Sequence, residues 1–194
     1  MRTPLLACGL VVALGCSRDS TPPPPTATTG GSSAVGAAPA PAATAKAAGA
    51  LEVGKPAPDF TTTAHDGAMI SPSALKGRPI VLYFYPRDET PGCTKQACAF
   101  RDAWKDFEPT KVVLVGVSTD TNESHKKFAE RRSLPFHLVS DPEGAIADAY
   151  GVPNNGGFFA RQTIVIGADG NVKKIYRSVD VSRHAAEVLA DVKS

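Results

Sequence analysis

The chain has 194 residues, of which 42% are hydrophobic and 21% are charged, and its formal net charge is +2. The length suits a single domain, and the sequence shows no internal repeat and no second domain. The balanced charge, without basic clusters interleaved with aromatic residues, gives no support to nucleic-acid binding, and we predict no nucleic-acid partner. The basic pairs at 126–127 and 131–132 are expected to form a solvated helix face.

Residues 1–16 resemble a bacterial signal peptide. Arg2 gives a positive start, and residues 5–15 form an apolar stretch that is too short to span a bilayer. Gly15-Cys16 resembles the end of a lipobox, where lipoproteins are cleaved and lipidated, although Ala13 and Leu14 reverse the more usual order. We therefore expect lipidation of Cys16 and a membrane-anchored lipoprotein of the cell envelope that faces the periplasm. Cleavage without lipidation, which gives a soluble periplasmic or secreted protein, and an uncleaved anchor are the alternatives.

Residues 17–50 are rich in Pro, Ala, Thr, Ser and Gly, with one Val, no aromatic residue and almost no charge. Such a segment cannot bury enough apolar surface to offset its conformational entropy. We therefore expect a disordered tether with a mean reach of roughly 30–35 Å. It would separate the membrane from a folded domain at 51–194.

From residue 51 onward, short β-branched runs alternate with amphipathic segments. The predicted strands are 80–85, 111–118, 136–139, 162–167 and 172–177. Two hairpins are predicted, with turns at 66–67 and 168–171, and the first joins 60–64 to 68–70. The predicted helices are 91–107, 122–132, 142–150 and 182–192, and the third has Asp141 as its cap and Pro142 at its first position. This order predicts an α/β fold, with helices on both faces of a mixed central β-sheet.

The helix predicted from residue 91 begins directly after an apolar strand. Thr90 suits the N-cap position, and Pro91 suits the first helical position, where its missing N–H is harmless. Cys93 then lies in the first turn, where unpaired backbone N–H groups and the helix dipole favour an anion. Because the thiolate is the reactive form of cysteine, this arrangement predicts an activated nucleophile.

A second cysteine, Cys98, follows on another face of the same predicted helix. Cys93 belongs to the core-facing stripe, whose other members are Ala97, Phe100, Trp104 and Phe107. Five residues of ideal helix separate the two cysteine Cα atoms by about 8.6 Å. A disulfide requires less than about 7 Å. The pair therefore cannot bridge while the helix is intact, and the thiol and disulfide forms would differ in local structure.

Pro86, Thr90 and Cys93 fill the pattern P-x-x-x-T-x-x-C, which is the peroxidatic motif of the peroxiredoxins. With Cys98 added, the segment resembles the Q type, also called the bacterioferritin comigratory protein type. Gln96 stands where many members carry Glu. The resemblance covers roughly residue 51 to the C-terminus. It implies a thioredoxin-like fold and a thiol-dependent peroxidase without a cofactor.

The chemistry that the resemblance implies is the reduction of hydrogen peroxide or an organic hydroperoxide. The Cys93 thiolate would become a sulfenic acid, Cys98 would condense with it, and a thioredoxin-like or other dithiol reductant would restore both thiols. Thr90 can donate its hydroxyl hydrogen to the thiolate or the peroxide, and Pro86 would shield the thiolate from water. Arg161, at the entrance of a predicted core strand, matches the active-site arginine of the family.

Other interpretations stay open at this point. Thr90 could act only as a cap, Pro86 could only end the strand, and Arg161 could be a surface residue. A tethered thiol–disulfide oxidoreductase would carry C-x-x-C instead of C-x-x-x-x-C, whereas a non-catalytic redox-sensing lipoprotein agrees with the sequence. A metal site is not predicted, because only two cysteines remain after export and no histidine has ligand spacing. Each histidine is expected to be exposed or hydrogen-bonded: His65, His125, His137 and His184.

Overall fold

The computed structural model describes residues 51–194 and the short strand β1 (Thr44–Ala45). The other strands are β2 (Phe60–Thr63), β3 (Met69–Ile70), β4 (Ile80–Phe84), β5 (Val113–Ser118), β6 (His137–Ser140), β7 (Gln162–Ile166) and β8 (Val172–Tyr176). The helices are α1 (Pro91–Asp102), α2 (Trp104–Phe107), α3 (Asn122–Arg132), α4 (Ala145–Ala149) and α5 (His184–Lys193). The predicted signal peptide, the lipidation site Cys16 and nearly all of the predicted tether lie outside the described residues.

The central sheet has five strands in the order β6-β5-β4-β7-β8. β4 pairs in parallel with β5, and β5 with β6, whereas β7 runs antiparallel to both β4 and β8. The mixed sheet predicted from the sequence is therefore confirmed. A smaller antiparallel sheet joins β1, β2 and β3. In it, Thr44 and Ala45 pair with β2 through backbone groups. Both residues belong to the predicted tether, and backbone pairing of this kind does not depend on composition.

Helices cover both faces of the central sheet, as predicted. All five residues of β4 are buried, and successive side chains point to opposite faces. On one face, Leu82 and Phe84 pack in a cluster with Ile146 of α4. On the other face, Val81 and Tyr83 share a cluster with residues of α1, α3 and α5, namely Phe100, Phe128 and Val188. Helix α1 therefore packs against a sheet that is buried on both faces.

Two helix predictions were wrong in their bounds. The helix predicted at 91–107 is interrupted at Ala103, whose N–H is bonded to carbonyls of the preceding turn, and α2 follows as a single turn. The helix predicted from 142 begins only at Ala145, after Gly144 in the left-handed region with φ 75°. Asp141 is not the N-cap residue, but its carboxylate accepts the Ala147 N–H at 2.9 Å. Neither Pro nor Gly marks the break at Ala103, so the apolar pattern could not show it.

Between residues 51 and 194, no helix is both long enough and apolar enough to cross a membrane. A short loop leads from the carboxyl end of β4 into α1, at the carboxyl edge of the parallel strands β4 and β5. Open α/β sheets usually bind their ligands at this edge.

Candidate active site

Cys93 is held where the end of β4 meets the first turn of α1. Thr90 occupies the N-cap position with extended backbone angles, and Pro91 is the first residue of the helix. Cys93 is the third helical residue, and only 2% of its surface is exposed. The thiol therefore lies at the positive end of the helix and is largely removed from water.

The Arg161 guanidinium contacts this thiol directly. Its Nη2 donates to Cys93 Sγ at 3.2 Å. The register of the sheet explains the contact, since β7 pairs antiparallel with β4 and Gln162 lies opposite Phe84. Arg161, one residue earlier in the chain, is thereby placed beside the loop that leads from β4 into α1. A positive charge at hydrogen-bond distance stabilises a thiolate over a thiol.

Gln96 is a site residue that the sequence analysis did not identify. It is buried, and its Oε1 accepts a hydrogen bond from Arg161 Nη1 at 2.5 Å. Arg161 thus bridges Cys93 and Gln96, which are three residues apart on one helix face. The spacing of three residues from Cys93 is the signal in the sequence that places Gln96 on the same helix face.

Gly92 lies beside the Arg161 guanidinium. A Cβ at this position would lie 3.4 Å from Arg161 Nη2, which is an ordinary contact distance. A side chain larger than methyl would therefore compete with Arg161 for its place beside the thiol.

Thr90 lies at the predicted N-cap position, and its hydroxyl has a partner in the loop. Its hydroxyl donates to the Arg87 carbonyl at 3.1 Å and not to Cys93. Within the described residues, the side chain also accepts no N–H from the first helical turn. The preceding residue, Glu89, has a left-handed backbone with φ 58°. Thr90 occupies the cap position without forming the cap bond.

The neighbouring loop residues differ in exposure. Pro86 is half-buried at the start of the loop. Arg87 is exposed, and its guanidinium carbon lies 4.6 Å from the centroid of the Phe158 ring. A cation in this position interacts with the ring face. Arg161, rather than Arg87, is therefore the charged group that contacts Cys93.

Cys98 has different surroundings. It is half-buried, and both cysteines are free thiols. The nearby Arg101 bonds to the Asp102 carboxylate and donates to the Arg132 carbonyl at 2.7 Å. The pKa of Arg101 is raised mainly by the hydrogen bond to Asp102, with a smaller contribution from the Cys98 thiol. Arg101 is therefore engaged largely by groups other than Cys98.

The histidines have partners other than the two thiols. His184 is fully buried and bonds to the Thr163 hydroxyl at 2.8 Å, and His125 is buried beside Asp88. His137 pairs with Asp66, and His65 accepts the Leu138 N–H. Among residues 51–194, no group of three or more His, Cys, Asp or Glu side chains is arranged to hold a metal ion.

Comparison with known proteins identifies the family. Residues 53–175 match the AhpC/TSA family. The chain belongs to this family. It is 41% identical over 179 residues to the chloroplastic peroxiredoxin Q of Triticum aestivum, across 89% of this chain and 82% of that protein.

Solved structures agree with the assignment. The crystal structure of peroxidoxin BcpB from Mycobacterium tuberculosis has a TM-score of 0.68 at 36% identity, over 74% of this chain and 97% of that one. The bacterioferritin comigratory protein of Xanthomonas campestris has a TM-score of 0.64 at 32% identity, over 69% and 89% of the two chains.

The predicted peroxiredoxin family and thioredoxin-like fold are therefore confirmed. The chain is a thiol-dependent peroxidase of the Q or bacterioferritin comigratory protein type. The assignment favours a peroxidase over two of the alternatives above, the thioredoxin-type oxidoreductase and the non-catalytic sensor.

Proposed function

We propose that Cys93 is the peroxidatic residue and that it reduces hydrogen peroxide and organic hydroperoxides. The observation that carries this proposal is the 3.2 Å contact between Arg161 Nη2 and Cys93 Sγ, in the first turn of a helix. The thiolate attacks one peroxide oxygen, so that an S–O bond forms as the O–O bond breaks. The product alkoxide or hydroxide takes a proton and leaves as alcohol or water, and Cys93 becomes a sulfenic acid.

Arg161 has two roles in this step. Its guanidinium holds the thiolate and can also meet the oxygen on which negative charge develops, because the planar fork presents several donors. Gln96 fixes the direction of the fork through Nη1. Backbone N–H groups at Gly92 and Cys93 add donors at the positive end of the helix.

Thr90 and Pro86 complete the proposed pocket. When a peroxide enters, the Thr90 hydroxyl can exchange its bond to the Arg87 carbonyl for a bond to the substrate. Half-buried Pro86 limits the access of water to the loop, which strengthens the charge interactions around Cys93.

Cys98 is proposed as the resolving residue. Its sulfur attacks the sulfenic sulfur, the S–O bond breaks, and water leaves as the disulfide forms. Both thiols are free on an intact α1, where residues five apart lie too far from each other for an S–S bond. The first turns of α1 must therefore unwind. A thioredoxin-like or other dithiol donor then reduces the disulfide in two exchange steps.

Two further elements of the proposal rest on similarity and on sequence. The Xanthomonas campestris relative has alkyl peroxide reduction activity, which supports organic hydroperoxides as substrates here. Residues 1–16 support an exported lipoprotein anchored through Cys16, so that the enzyme would protect the cell envelope from peroxides. A Cys16→Ser variant should leave the membrane fraction; unchanged membrane association would refute the lipid anchor.

The experiment that tests the proposed function follows peroxide consumption with a dithiol donor in excess. We expect Cys93→Ser to abolish turnover and Cys98→Ser to permit one reaction per chain and then stop. A matched control is Ala99→Ser, a substitution on the same helix that leaves both thiols in place. Near-normal turnover by Cys93→Ser would refute the assignment of the nucleophile.

A further inference from the structure

A buried polar network surrounds Asp88, in the loop between β4 and α1. Asp88 is buried, and its Oδ1 accepts the Tyr85 hydroxyl at 2.7 Å. Its Oδ2 accepts the Ser124 hydroxyl at 2.7 Å and lies 3.0 Å from His125 Nδ1. The carboxylate therefore has three side-chain partners, two of which belong to the first turn of α3.

The network is almost sealed from water. The side chains of His125 and Asp88 have exposed fractions of 0% and 3%. Burial alone would raise the pKa of Asp88, but the hydrogen bonds from His125, Tyr85 and Ser124 outweigh it and lower the pKa below its ordinary value. Asp88 is therefore an ionised carboxylate that accepts hydrogen bonds from three side chains. Breaking these bonds in a buried site is costly, so the carboxylate resists displacement.

The backbone of the same loop is also fixed. The Asp88 N–H donates at 2.8 Å to Asp120, whose carboxylate also accepts the Ser118 hydroxyl. Glu89 follows with its left-handed φ of 58° and pairs with the last turn of α3 through Arg131 and Arg132. A left-handed backbone at a residue other than Gly persists only where the surroundings impose it. The first turn of α3 therefore binds Asp88, and its last turn binds Glu89. These are the two residues that precede the N-cap of α1.

Resting on the proposed function, we propose that Asp88 and His125 are positioning residues for the peroxidatic thiol. They fix the loop that sets where α1 begins, and hence where Cys93 meets Arg161. Neither touches the reacting atoms. They stabilise the wound first turn that reacts with peroxide, and so they oppose the unwound form in which Cys98 reaches Cys93.

The two chemical steps should therefore respond in opposite directions when the network is weakened. His125→Leu removes the donor from Asp88 and leaves a buried carboxylate short of one partner. Reaction of Cys93 with peroxide should slow about tenfold, in line with the loss of a hydrogen bond to a charged group. Formation of the disulfide from the sulfenic acid should become faster, because the unwound form is opposed less strongly. A residue with only a structural role would not separate the two steps.

A conservative variant supplies the second readout. In His125→Asn, the side-chain amide N–H lies near the position of Nδ1 and can still donate to Asp88. It should restore most of the rate that His125→Leu loses. Glu123→Gln is the matched control, since Glu123 is exposed on the same turn and pairs only with Lys127, and it should change neither step.

The measurement is a rapid-quench time course with hydrogen peroxide and the folded, full-length protein. At each time point, mass spectrometry gives the fractions of thiol, sulfenic acid and disulfide. Rescue by His125→Asn with opposite effects on the two steps supports the inference. Equal slowing of both steps, or no rescue, overturns it. If His125→Leu does not fold, Ser124→Ala replaces it and should shift both steps in the same directions by a smaller factor; unchanged rates overturn the inference. If the wild type forms neither a sulfenic acid on Cys93 nor a disulfide, the proposed function has failed instead.

Discussion

Cys93 and Cys98 lie five residues apart on α1, yet their surroundings differ. Cys93 is buried in the first turn and receives a hydrogen bond from Arg161, which directly precedes β7. Cys98 is half-buried, and the nearby Arg101 also bonds to a carboxylate and a carbonyl. The helix dipole alone acts mainly within the first turn and is weak. We expect the tertiary contact with Arg161 to contribute more than helix position to a difference in reactivity between the two thiols.

The largest expected effect comes from removing that contact. Arg161→Ala should slow the reaction of Cys93 with peroxide by about 100-fold or more, as does the loss of a donor aimed at a developing oxyanion. It should also bring the alkylation rates of the two thiols closer together. Competitive alkylation followed by peptide mass analysis measures both rates in one sample.

Arg161→Lys is the matched control, because it keeps the charge but loses the planar fork. We expect partial recovery of the rate. Full recovery would show that charge alone is sufficient, and a Cys93 that stays much more reactive than Cys98 in Arg161→Ala would contradict the comparison.

A smaller effect is expected at Gln96. Gln96→Ala leaves Arg161 Nη1 without its acceptor, and the guanidinium loses a fixed orientation. The peroxide step should slow about tenfold, since a hydrogen bond to a charged group contributes roughly 1.5–3 kcal/mol. Stopped-flow fluorescence of the single tryptophan, Trp104, can follow the step. Gln96→Glu keeps an acceptor and should retain most of the rate, so equal losses in both variants would argue against an orienting role.

A pH effect on stability is expected at His184, which is buried on the Cys93 side of α1 against the Phe100 ring. Burial lowers the pKa of His184 below its ordinary value of 6.5, although Glu187 acts in the opposite direction. As the pH falls below 6.5, the unfolded chain binds a proton that the folded chain does not. The free energy of unfolding should therefore decrease towards acid pH, with a slope of at most one proton from this group.

His184→Gln should remove this part of the slope, because the amide can still meet the Thr163 hydroxyl but does not titrate. Urea unfolding across the pH range from about 5 to 7 measures it. Burial also lowers the pKa of His65, so His65→Gln is needed as a second variant. An unaltered slope in His184→Gln would contradict the assignment.

The smallest effect is expected at Tyr83, under α1. Burial raises the pKa of Tyr83 well above its ordinary value, and the charges of Asp88 and Cys93 add to it. Its hydroxyl is buried and has no hydrogen-bond partner among the described residues. Tyr83→Phe should therefore stabilise the fold by up to about 1 kcal/mol and leave the reactivity of both thiols unchanged. Thermal unfolding and peroxide consumption check these outcomes, and a clear loss of activity would show that the phenol takes part.

Much of this fold follows from short-range sequence patterns. The five-strand sheet and the placement of Cys93 were predictable because β4 and β5 are continuous apolar runs and a Thr-Pro pair starts the helix. The approach of Arg161 to the helix could be anticipated only through the family pattern. Its physical cause is the antiparallel register of β7 with β4, which local propensity does not determine.

What the sequence did not reveal depends on contacts between distant residues. His125 and Asp88 are 37 positions apart, and their pairing depends on how α3 packs beside the loop. The Thr90 hydroxyl donates to a loop carbonyl, and the backbone of Glu89 is left-handed, which its residue type does not indicate. The role of Gln96 could not be read from its own segment, because its partner Arg161 lies 65 positions away in the chain.

The most direct test of the central claim is the intact mass of the reduced domain after one equivalent of hydrogen peroxide, with both cysteine variants in parallel. We predict that the wild type loses two hydrogen atoms, that Cys98→Ser gains one oxygen atom on Cys93, and that Cys93→Ser is unchanged at the same time point. An oxygen atom on Cys98, or a wild type that keeps its mass while peroxide is consumed, would contradict the account.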